Sequence, residues 1–482
     1  MTKKLCLAVI AILLAVTCVS FAQTLKQLTN QPPDGAGVPF LLTDGTVMVQ
    51  GNVGNDWWKL TPDRNGSYVN GTWSQLANLP SGYEPYAFAS ATLADGRVVI
   101  VGGEYNFGSF AFTNLGAVYD PKKNTWTNLP PPNGWAYIGD SPSALLPNGK
   151  FLVGRKFDQQ MAILDPATLT WTAAGSTGKT DWNAEEGYTL LRDGSILTWD
   201  VLNNPHSEKY IPSTGQWVTA GSTVANLQGP PQVGCIQYGN GLLYCPPGET
   251  GPGILRTDGT VFATGALHLH DPTGHTSVYH PGAKMTDPGT WVPGPDFPNG
   301  DDAGDNFAAL LPNGNVLVEA TSGRLYEYNG TSLKPGPFGG GGSLIVLPTG
   351  EVLVGGSEVY TTTGTYQAAW QPVVLSSGGP HAYLRGKTYT LYGQQFNGLS
   401  QAAAFGDEFE TATNYPLVRI TNKASGHVFY ARTHDHSTMG VATGKAIVYT
   451  HFDVPLATET GASTLEVVAN GIPSTKVPIT IN

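Results

Sequence analysis

One pattern of apolar and polar positions recurs along the chain: an apolar run, a short polar-Gly turn, then a second apolar run. It reads FLLTDGTVMV, SATLADGRVVIVGG, SALLPNGKFLVG, YTLLRDGSILTW, GILRTDGTVFATG, AALLPNGNVLV and LIVLPTGEVLVGG. The turn glycines are Gly45, Gly96, Gly149, Gly194, Gly259, Gly314 and Gly350. Asp-Gly and Asn-Gly favour the positive φ angles of tight hairpins. The flanking runs are apolar on both faces, as in strands buried between neighbours. A Tyr-rich strand and then a Trp often follow: Tyr119 leads to Trp126, Tyr210 to Trp217, and Tyr279 to Trp291. Four strands per repeat, at spacings of 36 to 65 residues, predict the blades of a closed seven-bladed β-propeller over residues 23–370. Either the segment 24–30 or the region of Trp370 supplies the strand that completes the last blade.

Beyond residue 370 the repeat stops. Runs such as TYTLYG, LVRIT, HVFYAR, AIVYTHF and TLEVVA occupy residues 371–482. Their spacing predicts an immunoglobulin-like β-sandwich, so the fold class is all-β. Pro372, Ser376, Gly378, Gly379 and Pro380 read as a linker. At the other end, Lys3 and Lys4 precede an apolar run to Val19, followed by Ser20-Phe21-Ala22. That is the layout of a signal peptide cleaved after residue 22, and it predicts export to the periplasm or the extracellular medium. The mature chain has no second long apolar stretch, so no membrane span is expected.

Composition adds exclusions. Charged residues are 13% of the chain and aromatics 10%, which rules out a coiled coil or a highly charged disordered chain. Without Lys3 and Lys4, 23 basic side chains face 36 acidic ones, a net charge of -13. With no basic run, nucleic acid is excluded as a partner. Two cysteines remain after cleavage, in GCIQYGNGLLYC. The Gly-Asn-Gly turn at its centre sets Cys235 opposite Cys245, and an exported hairpin predicts a disulfide between them. No Ser-His-Asp signature, phosphate loop or dinucleotide fingerprint stands out.

Gly102-Gly103 and Gly355-Gly356, with aromatics further on, resemble kelch repeats. A kelch-like propeller with a terminal sandwich resembles the galactose oxidase and glyoxal oxidase superfamily. The resemblance implies a loop of the sandwich that enters the channel and brings a histidine to copper. Thr433-His434 is the nearest match and His436 the alternative. Tyr244-Cys245-Pro246 superficially resembles the surroundings of the family's cross-linked cysteine. Where the partner tyrosine belongs, however, stand Asp305 and Asn306, and the entrance Gly339 to Ser343 holds no Tyr-His pair. The radical-copper set is therefore incomplete.

Each blade's first strand begins at one mouth of the channel, and its turn glycine lies at the other end. Counting back nine residues from the turn glycine gives Asp140, Glu185 and Asp305; counting back ten gives Tyr86 and Glu249. Carboxylates gathered at one level recruit a cation or hold protons. Oxygen ligands suit calcium, and nearby histidine shifts the choice toward a metal such as copper. His268 and His270 share one face of an extended segment, a spacing that can chelate a metal. Trp57 and Trp58 follow the second strand of the first blade and can stack on a sugar face. Arg432 shares the polar segment of His434 and His436. These residues predict a monomeric recognition protein whose channel mouth takes a carbohydrate or small polar ligand, with a divalent cation as the expected cofactor. An enzyme built on that mouth and a propeller that docks another protein are the competing readings.

Overall fold

The computed structural model describes residues 23–52, 54–229, 236–237, 243–244, 248–268, 271–376, 381–406 and 408–482. Cys235, Cys245, His270 and the segment 1–22 lie outside the described residues. The described chain is all-β; its helical content is two 3-10 turns, Pro298–Gly300 and Ala368–Trp370.

Among the described residues, seven antiparallel meanders succeed one another. Their first strands are Pro39–Leu41, Ala89–Thr92, Ser143–Leu145, Thr189–Leu190, Thr250–Leu255, Ala308–Leu310 and Leu344–Val346. Each first strand lies beside that of the next sheet, and Thr92 Oγ1 donates to Leu41 O at 3.4 Å across the first seam. Leu344–Val346 lies beside Pro39–Leu41, which closes the ring in a β-propeller-like arrangement. Closure at the edge comes from the N-terminus. Thr24–Gln27 pairs antiparallel with Glu358–Thr361 and supplies the fourth strand of the seventh sheet. Trp370 instead packs over the turn at Gly314, where an added Cβ would come within 2.8 Å of its ring.

The polar-Gly turns work through their side chains. Asp44, Asp95, Asn148, Asp193, Asp258 and Asn313 each accept the backbone N–H two residues on, at 2.9–3.1 Å. The glycine that follows takes φ between +75° and +94° at all seven turns, a region open to glycine without steric cost. The outer tryptophans stitch sheet to sheet: Trp126 Nε1 donates to Ala77 O at 3.0 Å, and Trp171 Nε1 to Pro130 O at 2.7 Å.

The described strands from Val373–Ser376 to Val477–Ile481, Ala403–Ala404 excepted, form one curled sheet around its own apolar core, which includes Leu391, Val418, Leu465 and Phe452. Val428–His434 pairs with one neighbour through Val428 to Ala431 and with the other through Arg432 to His434, and there the sheet bends. The expected linker begins instead as a strand, since Val373–Ser376 pairs with Thr388–Gln394; residues 377–380 lie outside the described residues. This unit sits on the turn-glycine end of the ring: Thr433 N donates to Thr43 O at 3.0 Å, and Met439 N to Pro147 O at 2.9 Å.

Between its strands the same unit sends a loop into the channel. Ala403–Ala404 adds antiparallel to Ala308–Leu310. Gln401 Oε1 accepts Leu190 N at 2.8 Å, Phe405 meets Phe307 at 4.4 Å, and Phe409 meets Phe88 at 5.1 Å. The way back is fixed by Ser90 Oγ, which donates to Glu410 O at 3.2 Å.

Candidate functional site at the channel mouth

At the end opposite the terminal unit, the chain turns sharply before several first strands. Ala87, Glu185 and Asp305 stand at φ +52°, +57° and +53°, and Gly139 at +83°. A left-handed conformation costs a residue with a Cβ roughly 1–3 kcal/mol. Glu185 and Asp305 carry it next to the polar cluster. Thr250 ties them together: its Oγ1 donates to Glu185 O at 2.8 Å, and its carbonyl accepts Asp305 N at 2.8 Å.

The charge at the centre belongs to Lys156. Its buried ammonium bonds Asp140 Oδ2 and lies 2.7 Å from Glu185 Oε1. Phe112 covers it, with the ammonium 5.5 Å from the ring centroid. Asp305 keeps a solvent-facing surface, yet protein surrounds it on most sides. That surrounding protein, then the charge of Glu185, push its carboxyl up to about 6, while Lys156 opposes the rise. Glu104 joins the same field. Burial raises it, Lys156 pulls it down, and Glu185 and Asp305 raise it again. Tyr86 is 39% exposed and sits 6.2 Å from Tyr105 and 5.9 Å from Phe409. Burial raises its phenol first, and Glu408 and Asp305 add to that.

Asp140, Glu185, Asp305 and Tyr86 therefore share one cluster, as the offset from the turn glycines predicts. Glu249 stands beside Thr250, and its carbonyl accepts Gly229 N at 2.7 Å. The glycine-rich entrance of the seventh sheet is held by two acids: Glu358 accepts Gly340 N at 2.7 Å, and Glu319 accepts Gly342 N at 3.2 Å. Lys156, Glu104, Tyr105 and Glu408 are additions that counting to the first strand cannot find. Lys156 and Glu104 follow second strands, just after Gly154 and Gly102-Gly103. Glu104 and Tyr105 open an aromatic insertion, EYNFGSFAF, which folds as a small sheet over the mouth with Pro85–Tyr86.

Other expected residues lie elsewhere. His434 and His436 are at the turn-glycine end and do not approach the carboxylates. His436 N donates to Ala94 O at 3.2 Å. His434 Nδ1 lies 2.7 Å from Asp435, and its Nε2 lies 3.3 Å from Asp453. The segments that enter the channel are instead 398–406 and 408–415, whose sequence holds no histidine. A narrow channel accommodates small and aromatic side chains such as Ala403, Ala404 and Phe409, whereas the histidine hairpin packs against the turn-glycine end, with His436 buried beside Tyr415. Arg432 is also at the far end, donating to Asp95 O at 2.8 Å and pairing with Asp453 at 3.3 Å. It lines a cavity of about 590 Å³ between the first sheet and the terminal unit.

Trp57 is wholly buried against Phe40 and Trp126 and presents no face to a ligand. Trp58 donates its indole N–H to Asp56 Oδ2. His268 is bridged to Asp271, and its expected partner His270 is outside the described residues. In that segment it is His275 that bonds two carboxylates, Asp271 at 2.9 Å and Asp296 at 2.7 Å. Partial burial alone would lower its imidazole, but the two acids outweigh this and raise it.

No protein-family model matches the chain. Over 94 residues the chain is 36% identical to a galactose oxidase of Gibberella zeae, a stretch that covers 19% of this chain and 12% of that protein. Among solved structures it is similar to a fungal alcohol oxidase of the AA5 family in complex with copper. There the TM-score is 0.51 at 13% identity, covering 96% of this chain and 100% of the other. These findings support a galactose oxidase-like relationship in the fold. The residues do not fit the copper site that the resemblance implies: the loop in the channel brings no histidine, and His434 is at the far end. Among the described residues, no helix is long and apolar enough to cross a membrane.

Proposed function

We propose that this chain is an exported recognition protein: a seven-bladed, kelch-type propeller with an immunoglobulin-like terminal domain that binds a polyhydroxylated ligand at the channel mouth. The observation that carries the reading is the cluster of Asp140, Glu185, Asp305 and Glu104 around Lys156, beside the exposed ring of Tyr86. Glu104 and Asp305, which keep solvent-facing surface, can accept from sugar hydroxyls, buried Lys156 holds Asp140 and Glu185 in place beneath them, and an aromatic face covers the apolar side of the sugar. Seven glycine turns and the strand Thr24–Gln27 support the closed propeller. The Lys3-Lys4 start and the apolar run after it support export, and a Cys235–Cys245 disulfide would suit that compartment. The mature chain, 23–482, acts as a monomer in this reading, with 23–370 as propeller and 371–482 as terminal domain.

A second reading has its own observation. A carboxyl pushed up to about 6, Asp305, beside Glu185 gives a proton holder and a base in one cluster, the arrangement that general acid–base chemistry on a carbohydrate requires. A glycan array on the mature protein, followed by calorimetry with Glu104→Gln and Asp305→Asn, tests the binding. Product analysis of each bound glycan separates recognition from turnover. Glycan binding that both variants leave intact would remove the mouth from the account.

A further inference from the structure

A second acidic cluster lies behind the mouth, inside the fourth sheet. Residues 179–186 fold over the strands Ile196–Trp199 and His206–Ile211. Adjacent side chains diverge: Glu185 bonds Lys156 at the mouth, while Glu186 bonds Lys179 in the sheet. Asp181, Glu186, Asp200 and Glu208 are all buried, with His206 at the edge.

Most of their oxygens are accounted for. Lys179 Nζ lies 2.7 Å from Glu186 Oε2 and 2.9 Å from Glu208 Oε1. Thr180 donates from N and Oγ1 to Glu208 Oε2 at 2.9 and 3.2 Å. Asp181 Oδ2 accepts Val201 N at 2.6 Å and Leu202 N at 2.8 Å. His206 Nδ1 lies 2.7 Å from Asp200 Oδ2. Two oxygens remain without a partner, Glu186 Oε1 and Asp200 Oδ1. Their residues are 0% and 1% exposed, so water does not compensate.

One ammonium against four buried carboxylates leaves an excess of negative charge, which is costly in a low-dielectric interior. Burial, and next the charge of Glu208, push Asp200 up to about 6. Protonation of one carboxyl still leaves the cluster negative, since Lys179 is its one ammonium, whereas a divalent cation offsets two charges and can take both orphaned oxygens as ligands. One ligand atom from each of Asp181, Glu186 and Asp200 lies within 4.8 Å of the others. Oxygens on opposite sides of Ca²⁺ stand about 4.6–5.2 Å apart, given Ca–O distances of about 2.3–2.6 Å, so three such oxygens can share one ion. Mg²⁺ requires a tighter octahedron.

We propose that a calcium ion binds between Asp181, Glu186 and Asp200, with Glu186 Oε1 and Asp200 Oδ1 among its ligands. The ion fastens loop 179–186 to the sheet and so holds Glu185, the residue before Glu186, at its left-handed turn into the mouth.

Terbium is the probe. Trp182, Trp199 and Trp217 belong to the same loop and sheet and serve as antennae for a bound lanthanide. Chelator-stripped mature protein should show tryptophan-sensitised Tb³⁺ emission saturating at one ion per chain and displaced by Ca²⁺. Glu186→Gln and Asp200→Asn should each weaken Ca²⁺ competition at least ~10-fold, since affinity follows ligand charge. Asp305→Asn at the mouth should leave the emission unchanged. Circular dichroism identifies a variant that fails to fold, and the wild-type stoichiometry then decides alone. Absence of stoichiometric Tb³⁺ or Ca²⁺ binding by the wild type overturns the proposal. So does emission that survives both cluster variants but disappears in Asp305→Asn. Selective Zn²⁺ binding abolished by His206→Gln and not by Glu186→Gln would assign the cluster to a transition metal and overturn the calcium site.

Discussion

Lys156→Met removes the charge on which the mouth cluster is built. The ammonium is 1% exposed and bonds two carboxylates whose side chains are 6% and 7% exposed. At 2.7 Å from Glu185, and with an effective dielectric constant of about 20, the attraction is on the order of 6 kcal/mol before desolvation is subtracted. Breaking a buried pair by removing one partner typically costs about 3–5 kcal/mol, because the remaining charge stays in place. Methionine fills most of the lysine stem's volume, so cavity formation adds little. The variant should lose about 3–5 kcal/mol in urea unfolding at pH 8, followed by tryptophan fluorescence. The loss should shrink in acid. Lys156 lowers the Asp305 carboxyl, so without it that group moves further above its present value of about 6. A carboxyl raised in the folded state binds more protons folded than unfolded; stability then falls as pH rises from about 3.9 through the folded pKa. The variant's deficit is therefore greatest above that folded value and smaller at pH 5; solvent at the mouth screens part of the contribution from Asp305. A loss below ~1 kcal/mol, or an equal loss at pH 5 and pH 8, would refute the bridging role of Lys156.

Two further outcomes follow from buried groups elsewhere, and a third from the cysteine pair. Burial raises Glu410 in the channel loop to about 8, opposed by bonds from Ala412 N and Gln401. Wild-type stability should thus fall as pH rises from about 4.3 toward 8, and Glu410→Gln should flatten that slope in denaturation series; an unchanged slope would contradict it. Burial lowers His436 to about 3, and its ring stacks on Tyr415 at 6.4 Å. A base with a depressed folded pKa stabilises above about 6.5 and loses that contribution as pH falls toward the folded value. His436→Phe should keep the stack, lose about 1 kcal/mol with the Thr450 hydrogen bond, and reduce the acid sensitivity between pH 6 and pH 4; undiminished sensitivity would point to another group. Non-reducing peptide mapping of exported protein should join Cys235 to Cys245, and two free thiols would refute the disulfide.

The repeated sheets were legible because their hairpins combine short runs that are apolar on both faces with a turn glycine that must take positive φ. The same glycines served as rulers, and Asp140, Glu185 and Asp305 came out at one level because the first strands of their sheets, Ser143–Leu145, Thr189–Leu190 and Ala308–Leu310, are short and end at the same offset before the turn glycine. Lys156 and Glu104 escaped because they follow second strands, where loop length varies and no ruler applies. Trp57 and Trp58 could not be sorted by type, since successive strand residues face opposite sides and either could have pointed inward. The histidine hairpin was misassigned because a ligand-like residue was sought, whereas steric fit to the channel selects the segment that enters. The orphaned oxygens of Glu186 and Asp200 depend on how loop 179–186 meets the sheet; their sister oxygens pair with Lys179, seven residues away, and His206, six away, spacings that match neither the strand nor the turn pattern.

The central claim is that recognition takes place at the carboxylate mouth, away from the end that carries His434 and Arg432. One calorimetric comparison addresses it: a glycan selected on an array, titrated into wild type, Asp305→Asn and Arg432→Ala at one pH. The account predicts at least ~10-fold weaker binding for Asp305→Asn, corresponding to about 1.4 kcal/mol, and unchanged binding for Arg432→Ala. The opposite pattern, with Asp305→Asn silent and Arg432→Ala unable to bind, would place the ligand at the far end of the ring and contradict the account.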